Sequence, residues 1–151
     1  MLFKRISRTD PERVFIVVSN GYATASLTNG QAVMWDTGDA NGVSVTKPAT
    51  AMKNMAAFAG VIAETIAAGE YGLCQIYGYH SAVRVDVSAT ADVYVGSPLF
   101  MSANAFCLEG PYEKSGVTEA LYIEHRVVAA ALEAYTKAGT TTTMKAQIFA
   151  M

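Results

Sequence analysis

The chain has 151 residues, enough for one domain with a substantial core. Hydrophobic residues make up 52% and charged residues 16%, with a formal net charge of −2. These figures exclude intrinsic disorder and charge-driven nucleic-acid binding. Two cysteines, Cys74 and Cys107, are too few for a disulfide scaffold and read as buried thiols of a reducing cytoplasm. Charged residues usually supply about a quarter of a soluble chain. The shortfall favours a protein that buries part of its surface in an assembly.

No apolar stretch approaches a membrane helix, and the basic N-terminus lacks the apolar run of a signal peptide. Residues 1–13 read as an N-terminal arm. Lys4, Arg5, Arg8 and Arg13 alternate there with Leu2, Phe3 and Ile6, a mixture suited to an acidic, partly apolar groove on a neighbouring subunit. Residues 14–151 read as a single β-rich domain without an internal repeat. Val14 to Val18 has a strand's length.

Period-2 patterns continue along the chain. The run 57–67 and the run Leu73–Tyr79 flank Ala68-Gly69-Glu70-Tyr71-Gly72, a hairpin signal. Val83, Val85 and Val87 alternate with polar residues, and Val93 and Val95 bracket Tyr94 as a further short strand. Residues 118–125 predict a short turn or helix. Residues 128–150 predict a C-terminal hairpin in which Met144, Ala146, Ile148 and Ala150 share a face. Residues 49–56 have a helix-friendly composition but follow Pro48 and serve equally as a loop. Turn signals such as Asn20-Gly21, Asn29-Gly30, Asn41-Gly42 and Ser97-Pro98 recur between these strands. The fold class is therefore all-β, in a compact barrel or sandwich.

Catalytic signals are weak. Asp36-Thr37-Gly38 follows an apolar strand, as in dimeric retroviral-type aspartic proteases, where two chains contribute one carboxylate each. Asp39 crowds that motif, and the continuation Ala40-Asn41-Gly42 makes the segment a polar turn. Asp36, Asp39 and Asn41 do not have the spacing of a calcium loop. His80 and His125 lack partners at zinc-ligand spacing and read as hydrogen-bonded strand or interface residues. Neither a phosphate-cradling glycine loop nor Gly-x-Ser-x-Gly occurs, so the expectation is a non-enzymatic protein without cofactor or metal. Tyr71, Tyr77 and Tyr79, with Tyr94 and Tyr112, suit an interface that packs an aromatic body and hydrogen-bonds its hydroxyl.

The order of several segments resembles a known family. Gln31-Ala-Val-Met-Trp35-Asp36 leads to a β segment ending at Thr46, then to Phe58-Ala-Gly-Val-Ile and the Gly69–Gly72 turn. Gln75-Ile-Tyr-Gly78, Gly96-Ser-Pro-Leu99 and Val128-Ala-Ala-Ala-Leu132-Glu-Ala follow. Over residues 30–150 this resembles the head decoration, or cement, proteins of tailed bacteriophages. The resemblance implies a β-barrel-like or β-tulip-like domain, often trimeric, seated on the major capsid protein at the virion surface. It implies partners rather than substrates: other copies of the chain and the capsid, with no nucleic acid and no membrane. The alternatives are a tail, neck or minor head component and, more remotely, an aspartic protease acting through Asp36.

Overall fold

The computed structural model describes residues 12–39, 41–48, 57–86, 92–102, 107–109, 127–136 and 141–150. Among these residues nine strands carry the fold. They are β1 (Arg13–Asn20), β2 (Ala32–Trp35), β3 (Ser44–Thr46), β4 (Phe58–Ile62), β5 (Tyr71–Asp86), β6 (Pro98–Met101), β7 (Leu108–Glu109), β8 (Ala129–Ala131) and β9 (Thr141–Phe149). The all-β expectation is met. The two hairpins expected around residues 57–79 and 128–150 are present as the antiparallel pairs β4–β5 and β8–β9.

The strand order is β1-β3-β2-β4-β5-β7-β6-β8-β9, with β1–β5 and β5–β9 pairings in addition. These extra pairings close two rings that share β5. Ring one is β1-β3-β2-β4-β5, and ring two is β5-β7-β6-β8-β9. The 16 residues of β5 make this possible, because their first half completes one barrel and their second half opens the other.

Each barrel has its own core. Val18, Leu27, Val33, Val45, Ala59, Ile62, Ile66 and Cys74 fill the first. Val83, Val85, Val93, Leu99, Leu108, Met144, Ala146 and Ile148 belong to the second. Ala32, Met34, Phe58 and Val61, on the other face of β2 and β4, join that second core. Both faces of β4 are therefore covered, and all its residues are buried. This is why Phe58–Ile62 reads as a continuous apolar run rather than an alternation. Full burial of each Leu or Ile contributes about 1.5–3 kcal/mol.

The barrels are also copies of one another, which corrects the expectation of a chain without repeats. Leu27 bridges Ile66, and Val93 bridges Tyr135, each by a reciprocal pair of backbone hydrogen bonds. Gly30 N–H donates to the Ile62 carbonyl, as Gly96 N–H does to Ala131, both at 2.8 Å. Ile62 N–H returns a bond to Gln31, as Ala131 N–H does to Ser97. Asp36 N–H bonds the Ser44 carbonyl, as Ser102 N–H bonds that of Cys107. The Glu64 carboxylate accepts from Leu73 N–H at 2.9 Å, and that of Glu133 accepts from Lys145 N–H at 3.1 Å. Strand registers agree: Val18 faces Gly72 as Val83 faces Met144, and Val61 faces Gln75 as Ala130 faces Gln147. In this matching, β1 corresponds to the second half of β5.

Two other expectations change. Val93–Val95 is not a strand: Val93 makes a single bridge, and Gly96 then turns the chain with φ of 86°. Arg13, read as the end of the arm, is the first residue of β1 and lies opposite Gly78. Residues 2–8 of the arm, residues 49–56, Val87, Tyr112 and the turn or helix at 118–125 with His125 lie outside the described residues.

Candidate docking surface

The chemically versatile residues are dispersed and engaged locally. Asp36 directly follows β2, and its Oδ1 accepts from Gly38 N–H at 2.9 Å, an Asx turn that holds the Asp36-Thr37-Gly38 loop. Asp39 Oδ2 accepts from Asn41 Nδ2 at 2.8 Å and from Ser44 Oγ at 2.7 Å. The segment thus forms the polar turn between β2 and β3. Among the described residues no group of three or more His, Cys, Asp and Glu side chains has metal-site geometry. Cys74 and Cys107 are buried thiols that form no disulfide, and burial pushes the Cys74 pKa up to about 12.

His80 lies in β5 near the meeting point of the barrels and is 5% exposed. Its Nδ1 accepts from Ala82 N–H at 3.1 Å. Burial lowers its pKa, a hydrogen bond to the backbone of Ile62 opposes this, and the Arg13 charge adds to the lowering. It is the hydrogen-bonded strand histidine that the sequence suggests. Gln75 is buried at the same junction, and its Nε2 donates to the carbonyls of Tyr77 (3.1 Å) and Tyr79 (3.0 Å).

Beside these residues the outer face of β1 and β5 is apolar. Val17 lies opposite Leu73, and Ser19 opposite Tyr71, so these side chains share one face. Val17 is 60% exposed and Tyr71 66%, with Phe15 and Leu73 also exposed. A groove of about 270 Å³ runs from this face toward the barrel junction, with Arg13, Phe15, Glu64, Leu73, Gln75 and His80 in its walls. Its lining mixes a cation, a carboxylate, two amides, an imidazole and the Ser81 hydroxyl with two large apolar side chains.

Along Arg13–Val18, β1 also has an outer edge that no other described strand pairs. Leu73 turns its backbone groups away from β1: its carbonyl accepts from Ala63 N–H at 3.0 Å, and its N–H donates to Glu64. Val17, opposite it, therefore points its own N–H and C=O away from β5. β3 pairs with β1 only at Ser19 and Asn20, so the strand from Arg13 to Val18 keeps that outer edge. Exposed apolar edges of this kind are sites for addition of a strand.

No family model matches the sequence, and no curated protein does. Among solved structures, the chain is similar to the N base of head fiber gp8.5 of bacteriophage phi29. The two are 15% identical, with 91% of this chain and 94% of that chain covered, at a TM-score of 0.48.

Of the residues singled out in the sequence, the structure gathers Arg13 and Tyr71 on or beside the β1–β5 surface. Tyr77 and Tyr79 sit half-buried at the waist, opposite Phe149 and Gln147. The residues not anticipated are Phe15, Val17, Leu73, Gln75 and Glu64. Phe15 and Val17 carried a signal: an edge strand without a lysine or proline gatekeeper after Arg13. Gln75 carried none, because a buried amide in a strand reads as a surface residue until its acceptors are known.

Proposed function

We propose that this chain is a structural protein of a tailed-phage virion, which binds the major capsid protein as a homotrimer and cements the shell from outside. The observation that carries this reading is the apolar β1–β5 surface, formed by a strand edge unpaired among the described residues, with Phe15, Val17, Tyr71 and Leu73 beside it. Such a surface is a hazard on an isolated monomer and an asset in a repeating assembly. The charge-poor composition and the order of motifs shared with decoration proteins support the same reading. A protein that reinforces a shell by many symmetric contacts needs interface area and a rigid body. The double barrel supplies both. Its residues Leu2 to Arg8, ahead of β1, would add basic and apolar contacts to a neighbour.

The test is co-sedimentation of the purified chain with shells of its major capsid protein, alongside a truncation that starts at Glu12. Binding of the full chain, and weaker binding of a still-folded truncation, are the expected results. Failure to sediment with shells, or sedimentation with tails alone, would overturn the capsid reading.

A further inference from the structure

The internal repeat shows one contact that the first barrel makes and that its copy leaves open. The turn Thr28–Gln31 is closed by Gln31 N–H on the Thr28 carbonyl at 3.2 Å. β5 covers it: Arg84 N–H donates to the Gly30 carbonyl at 2.8 Å, and the Ala82 carbonyl packs against the Gly30 α-carbon. The matched turn, Tyr94–Ser97, is closed in the same way at 2.9 Å and passes through Gly96, with φ of 86° against 84° at Gly30. Among the described residues, nothing comes within 4 Å of the space beside Gly96. Tyr94 and Val95 flank it at 65% and 67% exposure.

The strand that covers the Gly30 turn is the half of β5 to which β1 corresponds in the repeat. Among the described residues β1 covers no such turn, and its outer edge carries the outward N–H and C=O of Val17 beside exposed Phe15. We propose that β1 of a second copy docks on the Tyr94–Ser97 turn, reproducing between chains the contact that β5 makes on the Gly30 turn within one chain. The N–H matched to that of Arg84 is Ser19's, which already donates to the Val43 carbonyl at 2.9 Å. The contact between chains therefore uses the next outward N–H along the strand, that of Val17, with the Gly96 carbonyl as its acceptor. Apolar side chains on both sides, Phe15 and Val17 against Tyr94 and Val95, are buried as it forms.

The two surfaces differ, so the contact is heterologous. Copies join head to tail and close into a ring if the rotation permits. A ring of three is the trimer of the proposed function, and to that extent the inference rests on that reading. The contact itself requires no capsid.

The experiment is light scattering of the full chain and three variants, each checked by circular dichroism for an unchanged fold. Val17→Pro removes the outward N–H without touching the bonds to β5, and Val17→Glu charges the same edge should proline disturb the strand. Val95→Glu charges the turn. The parent is expected as a closed oligomer, and each variant alone at the 16.0 kDa mass of a single chain. An equimolar mixture of an edge variant with Val95→Glu retains one intact edge and one intact turn and is expected to give a 1:1 dimer. A parent that stays monomeric, folded variants that keep the parent's mass, or a mixture that stays monomeric would each overturn the proposal. Loss of shell binding by an intact parent oligomer would sink the capsid reading and leave this contact standing.

Discussion

The carbonyl oxygen of Ala82 stands where a β-carbon on Gly30 would have to go, so the two barrels meet there through bare backbone. Gly30 also has a φ of 84°, which side chains rarely adopt. Gly30→Ala therefore combines backbone strain with a clash against a main-chain atom that cannot rotate away, and about 3 kcal/mol of stability should be lost. In the monomeric Val17→Glu background, where no second copy reaches the turn, Gly96→Ala has the same φ problem but no described atom within 4 Å, so it should cost about 1 kcal/mol. Urea unfolding of the two variants measures the difference, and equal losses would mean that the Ala82 contact contributes nothing.

Gln75 donates to two carbonyls of its own strand, those of Tyr77 and Tyr79, beside the register shift at His80–Val83. Gln75→Leu keeps the volume and leaves the Tyr77 and Tyr79 carbonyls without its Nε2. A loss of about 1–3 kcal/mol is expected in the same unfolding assay. A neutral result would show that water reaches both carbonyls once the amide is gone.

His80 makes stability depend on pH. Its pKa is lowered from 6.5 by burial, so in acid the unfolded chain takes up a proton before the folded one does. Stability from this site is complete above pH 6.5 and declines as the pH falls below it, with a limiting slope of about 1.4 kcal/mol per pH unit for one proton. His80→Gln can still accept from Ala82 N–H and should flatten the dependence between pH 7.5 and 5.5. Parallel curves for parent and variant would contradict the assignment.

The barrels should unfold together. Ala32, Met34, Phe58 and Val61 belong to strands of the first barrel yet lie in the core of the second. Leu99→Ala, a cavity in the second core, should cost about 2–5 kcal/mol. Trp35, the lone tryptophan, packs against the first core and reports on it. Its fluorescence midpoint should shift in Leu99→Ala by the same amount as the far-ultraviolet signal, whereas an unmoved Trp35 midpoint would mean two independent units.

Much of this architecture was legible in the residues. The alternation at Val83 and Val85, and at Met144, Ala146 and Ile148, places the right side chains in the core. The glycine turn before Leu73 gives the correct hairpin. The repeat was not legible, because its matched positions conserve geometry rather than identity. Ile62 answers to Ala131, Cys74 to Ala146 and Val33 to Leu99, and few pairs such as Glu64 and Glu133 keep the same residue. Spacing drifts between the copies as well, since their loops differ in length. Val93–Val95 reads as a strand because its side chains alternate correctly, but the turn at Gly96 comes too soon for a ladder to form. The docking face escaped notice for a related reason. Tyrosines advertise an interface in any sequence, whereas Val17 and Leu73 look like core until the register places them outside.

The shared strand also decides where attachments to this protein emerge. At Tyr77 and Gly78, β5 has β1 on one edge and β9 on the other, with Val14 facing Phe149 across Tyr77 and Arg13 facing Ile148 across Gly78. The start of the first strand and the finish of the last are thus two strand spacings apart, about 10 Å, at the waist of the molecule. Peptides fused ahead of β1 and behind β9 would leave side by side from the middle of the body. A short linker joining these ends, with a new opening in the Asp36–Asn41 turn, should yield a circularly permuted chain that folds.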